Sequence, residues 1–120
     1  VAEHNEIGIR GELLAFTHLQ NEGYTLLEKN WRFKRDEIDL IVRKEDLIVF
    51  VEVKTRTNDY AGEPEAAVTM AKQKKIVRVA HEYLRDREDY EEVRFDIIGI
   101  ITNSKGEEIN HIEDAFYPSL

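Results

Sequence analysis

Residues 36–56 read Asp-Glu-Ile-Asp-Leu-Ile-Val-Arg-Lys-Glu-Asp-Leu-Ile-Val-Phe-Val-Glu-Val-Lys-Thr-Arg, two apolar runs carrying charges that strand interiors ordinarily exclude. The first run, Ile38 to Val42, follows Glu37 and is interrupted by Asp39; the second, Leu47 to Val53, contains Glu52 and ends on Lys54. Side chains two apart on a strand share a face, so Glu37 falls with Asp39 and Glu52 with Lys54. The polar stretch Arg43 to Asp46 predicts a hairpin connection, which would set the strands side by side and let Asp39, Glu52 and Lys54 converge.

Working outward, residues 5–22 predict an amphipathic helix with Ile9, Leu13, Phe16 and Leu19 as its apolar stripe, and Gly23 stops it. Glu12 lies beside that stripe. Gly8 and Gly11 each weaken a helix by about 1 kcal/mol relative to Ala, a cost that close packing or a ligand's approach would explain. Tyr24 to Phe33 predicts a first strand, in which Trp31 and Phe33 alternate with Arg32 and Lys34 as on a half-buried surface.

Downstream, Thr55 to Glu65 is polar, holds Asn58, Asp59, Gly62 and Pro64, and reads as a loop. Pro64 suits the first turn of a helix from Glu65 to about Arg87, whose apolar stripe opposes Lys72, Lys74, Lys75 and Arg78. Val93 to Thr102 predicts a buried strand, Asn103 to Gly106 a turn, and Glu107 to Ile112 a return strand. His111 reads as an edge-strand residue rather than a ligand, and Phe116 and Tyr117 would pack the tail. The order is α-βββ-α-β-β: an α/β fold with a central mixed five-stranded sheet, because a long helical crossover favours parallel pairing of the strands it joins.

The 120 residues predict a single domain. With no cysteine, neither disulfides nor thiolate metal sites contribute. The longest apolar run is far short of the roughly 20 residues a membrane span needs, and no signal-peptide pattern opens the sequence, so a soluble cytoplasmic protein without membrane partners is the expectation. Net charge of −8 weighs against a polyanionic partner, since phosphate binding depends on Lys and Arg. The distribution relieves this objection: six of the 25 acids lie between His81 and Glu92, while bases cluster at Arg32, Lys34 and Arg35 and at Lys72 to Arg78.

Asp39 and Glu52 are hard oxygen donors of the kind that hold Mg²⁺ or Mn²⁺. Burying both without a cation would push a proton onto one of them, whereas a metal removes that penalty and lowers the pKa of its water. Lys54 could hydrogen-bond the attacking water or neutralise charge developing on a phosphate. The competing reading is an ordinary ion pair between Lys54 and a strand-end carboxylate.

The ordered set Gly8-x-x-Gly11-Glu12-x-Leu14-Ala15, Asn30-x-Arg32, Glu37-Ile38-Asp39-Leu40-Ile41, Phe50-Val51-Glu52-Val53-Lys54-x-Arg56, Lys72-Gln73, Ala80-x-x-Tyr83-Leu84, Arg94-Phe95-Asp96 and Ala115-Phe116 resembles the YraN-type uncharacterised bacterial proteins over almost the whole chain. That family is similar to the Holliday-junction resolvases among the PD-(D/E)XK, restriction-endonuclease-like nucleases. The resemblance implies that Glu12 is the helical acid, Asp39 the motif aspartate, and Glu52 and Lys54 the (D/E)XK pair, with Glu12, Asp39 and Glu52 as ligands to Mg²⁺ or Mn²⁺. Gln73 falls where related nucleases often place a polar residue, and Arg32, Lys34, Arg35, Arg56, Lys72, Gln73 and Lys75 would face nucleic acid. One departure is Asp36, where the family commonly has Gly. Resolvase-like chemistry would also favour a symmetric homodimer presenting two sites. Three functions are thus in play: a metal-dependent nuclease acting on structured or branched DNA, a non-catalytic nucleic-acid-binding module, and a protein-interaction domain whose central charges form a satisfied ion cluster.

Overall fold

In the computed structural model, which describes residues 2–56 and 68–117, the elements are α1 (Ala2–Asn21), β1 (Thr25–Phe33), β2 (Asp36–Lys44), β3 (Leu47–Arg56), α2 (Met70–Leu84), β4 (Glu92–Asn103) and β5 (Gly106–Ile112). The strands form one sheet in the order β1-β2-β3-β4-β5, antiparallel except for the β3–β4 pair, which α2 separates in sequence and which is parallel. This is the predicted α/β architecture, a mixed five-stranded sheet flanked by two helices, consistent with the restriction-endonuclease-like fold. Among the described residues no helix is long and apolar enough to cross a membrane.

Both faces of the sheet are covered, so its central strands are nearly continuous in apolar residues. On one face Ile38, Ile41, Ile48, Phe50, Phe95 and Ile97 pack beneath Ile76, Val79 and Ala80 of α2. On the other, Leu40, Val42, Val49, Val51, Ile98 and Ile100 lie under Ala15 and Leu19 of α1. The β2–β3 connection is tighter than the sequence suggests: Arg43 and Lys44 stay in the strand, and Glu45 takes the left-handed conformation (φ 55°) that a tight hairpin turn requires. The carbonyl of Asp46 accepts from the backbone N–H of Glu91 and Glu92 (2.9 and 3.1 Å), which sets the start of β4 beside the start of β3.

Several details of the sequence reading change. Ile9 and Leu13, expected to face inward, are 62% and 55% exposed, and the buried face of α1 is Gly11, Ala15 and Leu19. The reason is distance: a methyl on Gly11 would collide with the Thr55 hydroxyl and stand 3.3 Å from its Cβ, so small side chains must face β3 and larger ones turn away. Helix α2 begins at Met70, since Val68 and Thr69 are not helical, and Thr69 is its N-cap, its hydroxyl accepting from the Lys72 N–H at 3.2 Å. The predicted loop features Asn58, Asp59, Gly62 and Pro64 lie outside the described residues. Finally, Phe116 is buried and stacks on Phe95 (5.2 Å between ring centres), but Tyr117 is 70% exposed rather than packed.

Gly11→Ala is expected to cost about 1–3 kcal/mol through overpacking, read as a lowered denaturation midpoint. Combining it with Thr55→Ala should restore some of that loss; additive losses would mean that the two residues are not in contact.

Candidate active site

The site arises where the β2–β3 ladder ends. Pairing runs from Lys44↔Leu47 to Leu40↔Val51 and stops there, while β2 continues toward Asp36 paired with β1 alone. At this fork the Asp39 carboxylate replaces a ladder bond, its Oδ2 accepting from the Val53 N–H at 2.8 Å. Opposite in β1 stands Asn30 in the left-handed region (φ 52°), a conformation that Asn tolerates better than most residues. Its side-chain amide donates to Glu12 Oε2 at 3.3 Å, tying α1 to the fork.

Glu52, on β3, is 5% exposed. Burial and the neighbouring Glu52 carboxylate, close enough to share a proton with it, push the Asp39 carboxyl up to about 7, against the opposing bond from Val53 N–H. Glu12 is also raised, chiefly by burial and further by the Asp39 charge, with the Asn30 amide opposing. The three carboxylates of the motif are therefore electrostatically connected across three elements. Lys72, from α2, reaches Glu52 Oε2 at 3.6 Å.

A cleft of about 260 Å³ opens on this fork, lined by Gly8, Glu12, Asp39, Val53, Lys54 and Thr55. Gly8 borders it with nothing within 4 Å of where a Cβ would sit, so its missing side chain leaves the mouth open. Lys54 makes no ion pair with a carboxylate among the described residues, so the strand-end salt bridge that would have explained it blandly is not formed.

Two carboxylates side by side, one of them raised by burial and by its neighbour despite the Lys72 ammonium, suit a hard divalent ion that keeps water and phosphate oxygens in its remaining positions. Among the described residues no three His, Asp or Glu side chains stand grouped to hold an ion.

The basic residues divide. Arg32 is engaged with Glu37 (3.1 Å), its register partner across β1–β2. Lys34 sits in the β1–β2 turn over the Phe33 ring, 5.4 Å from its centre. Arg35 completes that turn, and Arg56 ends β3. Gln73 turns back to the Val68 carbonyl (3.1 Å), bracing the start of α2, while Lys75 is exposed on it. The extra charge of Asp36 is answered by Arg78 at 3.9 Å.

Sequence reasoning left two groups without a role. Asn30 appeared only within the Asn30-x-Arg32 motif, and its left-handed backbone and its grip on Glu12 depend on α1 and β1 meeting. The Arg94-Phe95-Asp96 motif builds a second ionic cluster. Asp96 is 0% exposed and accepts from Arg94 Nε and Nη2 (both 2.8 Å), from His111 Nε2 (2.7 Å) and from the Asp114 N–H (3.0 Å). Arg94 also donates to the Tyr24 hydroxyl (2.7 Å), and His18 Nε2 lies 3.1 Å from His111 Nδ1. Period-two spacing makes the Arg94–Asp96 pair legible, but the histidines come from α1 and β5.

Comparison with known proteins gives a consistent relationship. The family described as "Uncharacterised protein family UPF0102" matches residues 11–100. A UPF0102 protein of Flavobacterium psychrophilum is 44% identical over 98% of each chain, and one of Bacteroides thetaiotaomicron is 43% identical over 100% of this chain and 99% of its own. A third, from Chlorobium chlorochromatii, is 47% identical over 93% of this chain and 92% of its own.

Proposed function

We propose that this chain, which belongs to the uncharacterised protein family UPF0102, is a metal-dependent nuclease that hydrolyses phosphodiester bonds in structured or branched DNA. The observation that carries the reading is the fork itself: Asp39 and the buried Glu52 meet where the ladder ends, beside a lysine that pairs with no carboxylate among the described residues. A satisfied ion cluster would not leave the Asp39 carboxyl raised by burial and by Glu52, nor Lys54 without a carboxylate among the described residues.

Asp39 and Glu52 would hold Mg²⁺ or Mn²⁺, which supplies Lewis-acid chemistry, withdrawing charge from a phosphate oxygen and making water a better nucleophile. Lys54, projecting into the cleft, donates to a non-bridging phosphate oxygen and offsets the charge that grows there in the transition state. Glu12, held by Asn30 and raised by burial, accepts the proton of the attacking water. Lys72 keeps Glu52 in place from the α2 side. Gly8 leaves room for the sugar-phosphate backbone at the cleft mouth.

The reading as a non-catalytic nucleic-acid-binding module has one observation in its favour, the Lys72 ammonium already serving as a counter-charge to Glu52. Cleavage assays separate the two. With Mg²⁺ or Mn²⁺ and a panel of four-way junctions, flaps and linear duplexes, the wild-type chain should cut at least one branched substrate, and Lys54→Ala should slow it by about 10²–10³-fold with an unchanged melting temperature. Salt-dependent binding without turnover across the panel would establish the binding module instead.

A further inference from the structure

We infer that the groove along the flank of α2 is a seat for an unpaired nucleotide, whose base stacks on Tyr117 while its flanking phosphates meet Lys74 and Arg78. This deepens the nuclease reading and rests on it for the kind of ligand, because it requires the DNA to present a single-stranded or flipped-out position.

The groove encloses about 490 Å³, within the range of small-ligand sites. Its apolar surface comes from Met70, Val77 and Tyr117, and its rim from Lys74, Arg78 and His81. Met70 and Tyr117 are large side chains left 61% and 70% exposed, in a protein that buries its other aromatic tail residue, Phe116. The Tyr117 ring is nonetheless oriented, its hydroxyl donating to Asp114 Oδ2 at 2.8 Å. An oriented, exposed aromatic ring beside cations is the equipment that binds single-stranded nucleic acid, since every base offers a flat π-face and every linkage a negative charge.

Charge selects this occupant. The chain carries −8 overall, yet from Val68 to His81 it holds three lysines, one arginine and no acid. Among the described residues the rim cations have one ion pair, Asp36 at 3.9 Å from an Arg78 that is itself mostly exposed, a loose pair that a phosphate can displace, while the Asp114 carboxylate is taken up by the Tyr117 hydroxyl. An acidic peptide would satisfy the cations but has no flat face for Tyr117, and a continuous duplex keeps its base faces stacked inside. Position fits as well: Lys72 reaches the candidate active site from the same helix, and Arg78 lies about 9 Å further along its axis. An unpaired nucleotide in the groove thus places the adjoining strand beside the fork.

The test measures binding of the full chain in EDTA, so that no cleavage intervenes, using fluorescently labelled DNA of one sequence as a single strand, as a blunt duplex, and as a strand with abasic sites. The single strand should bind at least tenfold more tightly than the duplex or the abasic strand. Tyr117→Ala and Arg78→Ala should each weaken it by about tenfold, and Tyr117→Trp should preserve it. Lys105→Ala, which removes an exposed cation in the β4–β5 turn, should bind like the wild type, which separates the groove from the overall charge of the chain. Equal affinity for normal and abasic strands, no effect of Tyr117→Ala, or displacement of the DNA by poly-glutamate at matched charge would each overturn the inference. So would a concentration-dependent dimer that Tyr117→Ala dissolves, because the groove would then be a self-interface. If the groove fails these tests while branched DNA is still cut, only the groove is lost; if the single strand binds as expected and nothing is cut, the nuclease reading is the one that fails.

Discussion

Asp39→Asn is expected to give a protein that is more stable than the wild type at pH 8 and inactive toward DNA. The folded carboxyl is raised from 3.8 to about 7 by burial and by Glu52, so the native state binds a proton that the unfolded chain releases. Folding stability of the metal-free wild type therefore falls as pH rises from about 4 to 7, and the full penalty stands above 7. Asn keeps an acceptor for the Val53 N–H and carries no charge, so it removes the penalty, a gain on the order of 2–4 kcal/mol, or roughly 10 °C in melting temperature. Thermal melts at pH 4 and pH 8 in EDTA check this: the difference between the two proteins should be small at the lower pH and large at the higher. Mg²⁺ or Mn²⁺ should then raise the melting temperature of the wild type and leave the variant unchanged. A variant less stable than the wild type at pH 8 would contradict the account of the fork as an electrostatically loaded site.

Asp96→Ala is expected to do the reverse, costing about 3–5 kcal/mol. It would leave the Arg94 guanidinium, the His111 ring and the Asp114 N–H without their common acceptor in a site where the carboxylate is wholly buried. Burial alone would raise the Asp96 carboxyl, but the bonds from His111, Arg94 and the Asp114 N–H outweigh it and hold it below its usual range. Its stabilisation is therefore complete above the ordinary carboxylate range and is lost as pH falls through the depressed folded value. Denaturant titrations at pH 7 and in strong acid should show the wild-type advantage over Asp96→Ala large at the first and diminished at the second. The double variant Arg94→Met with Asp96→Ala should recover some of the loss, since it removes both members of a buried pair. A small effect at pH 7 would mean that the cluster does not hold β4, β5 and the tail together.

These outcomes would distinguish a pair of acids that look alike in sequence, each an Asp beside an apolar run. Asp39 is surrounded by other carboxylates and Asp96 by donors, and that difference comes from neighbours supplied by other elements. Gly11 was legible as a helix glycine needing a reason, but the reason, the Thr55 side chain, lies 44 positions away. Ile9 and Leu13 were misplaced for the same cause: periodicity reports that a helix has an apolar stripe, while the closeness of its packing decides which stripe faces the sheet.

What the sequence determined by itself was local and periodic. Alternation and continuous apolar runs set β2, β3 and β4, an apolar stripe opposite Lys72, Lys74, Lys75 and Arg78 set α2, and the two-residue spacing put Glu52 and Lys54 on one face, because these depend only on backbone geometry and on side chains within a few positions. Tertiary structure decided what depends on meeting: that the β2–β3 ladder stops at Leu40 so that Asp39 bonds Val53 and crowds Glu52, that Asn30 holds Glu12, and that two histidines join the Asp96 cluster. Those contacts join residues 13 or more positions apart, and a carboxylate's proton affinity is fixed by the charges and burial that such contacts create.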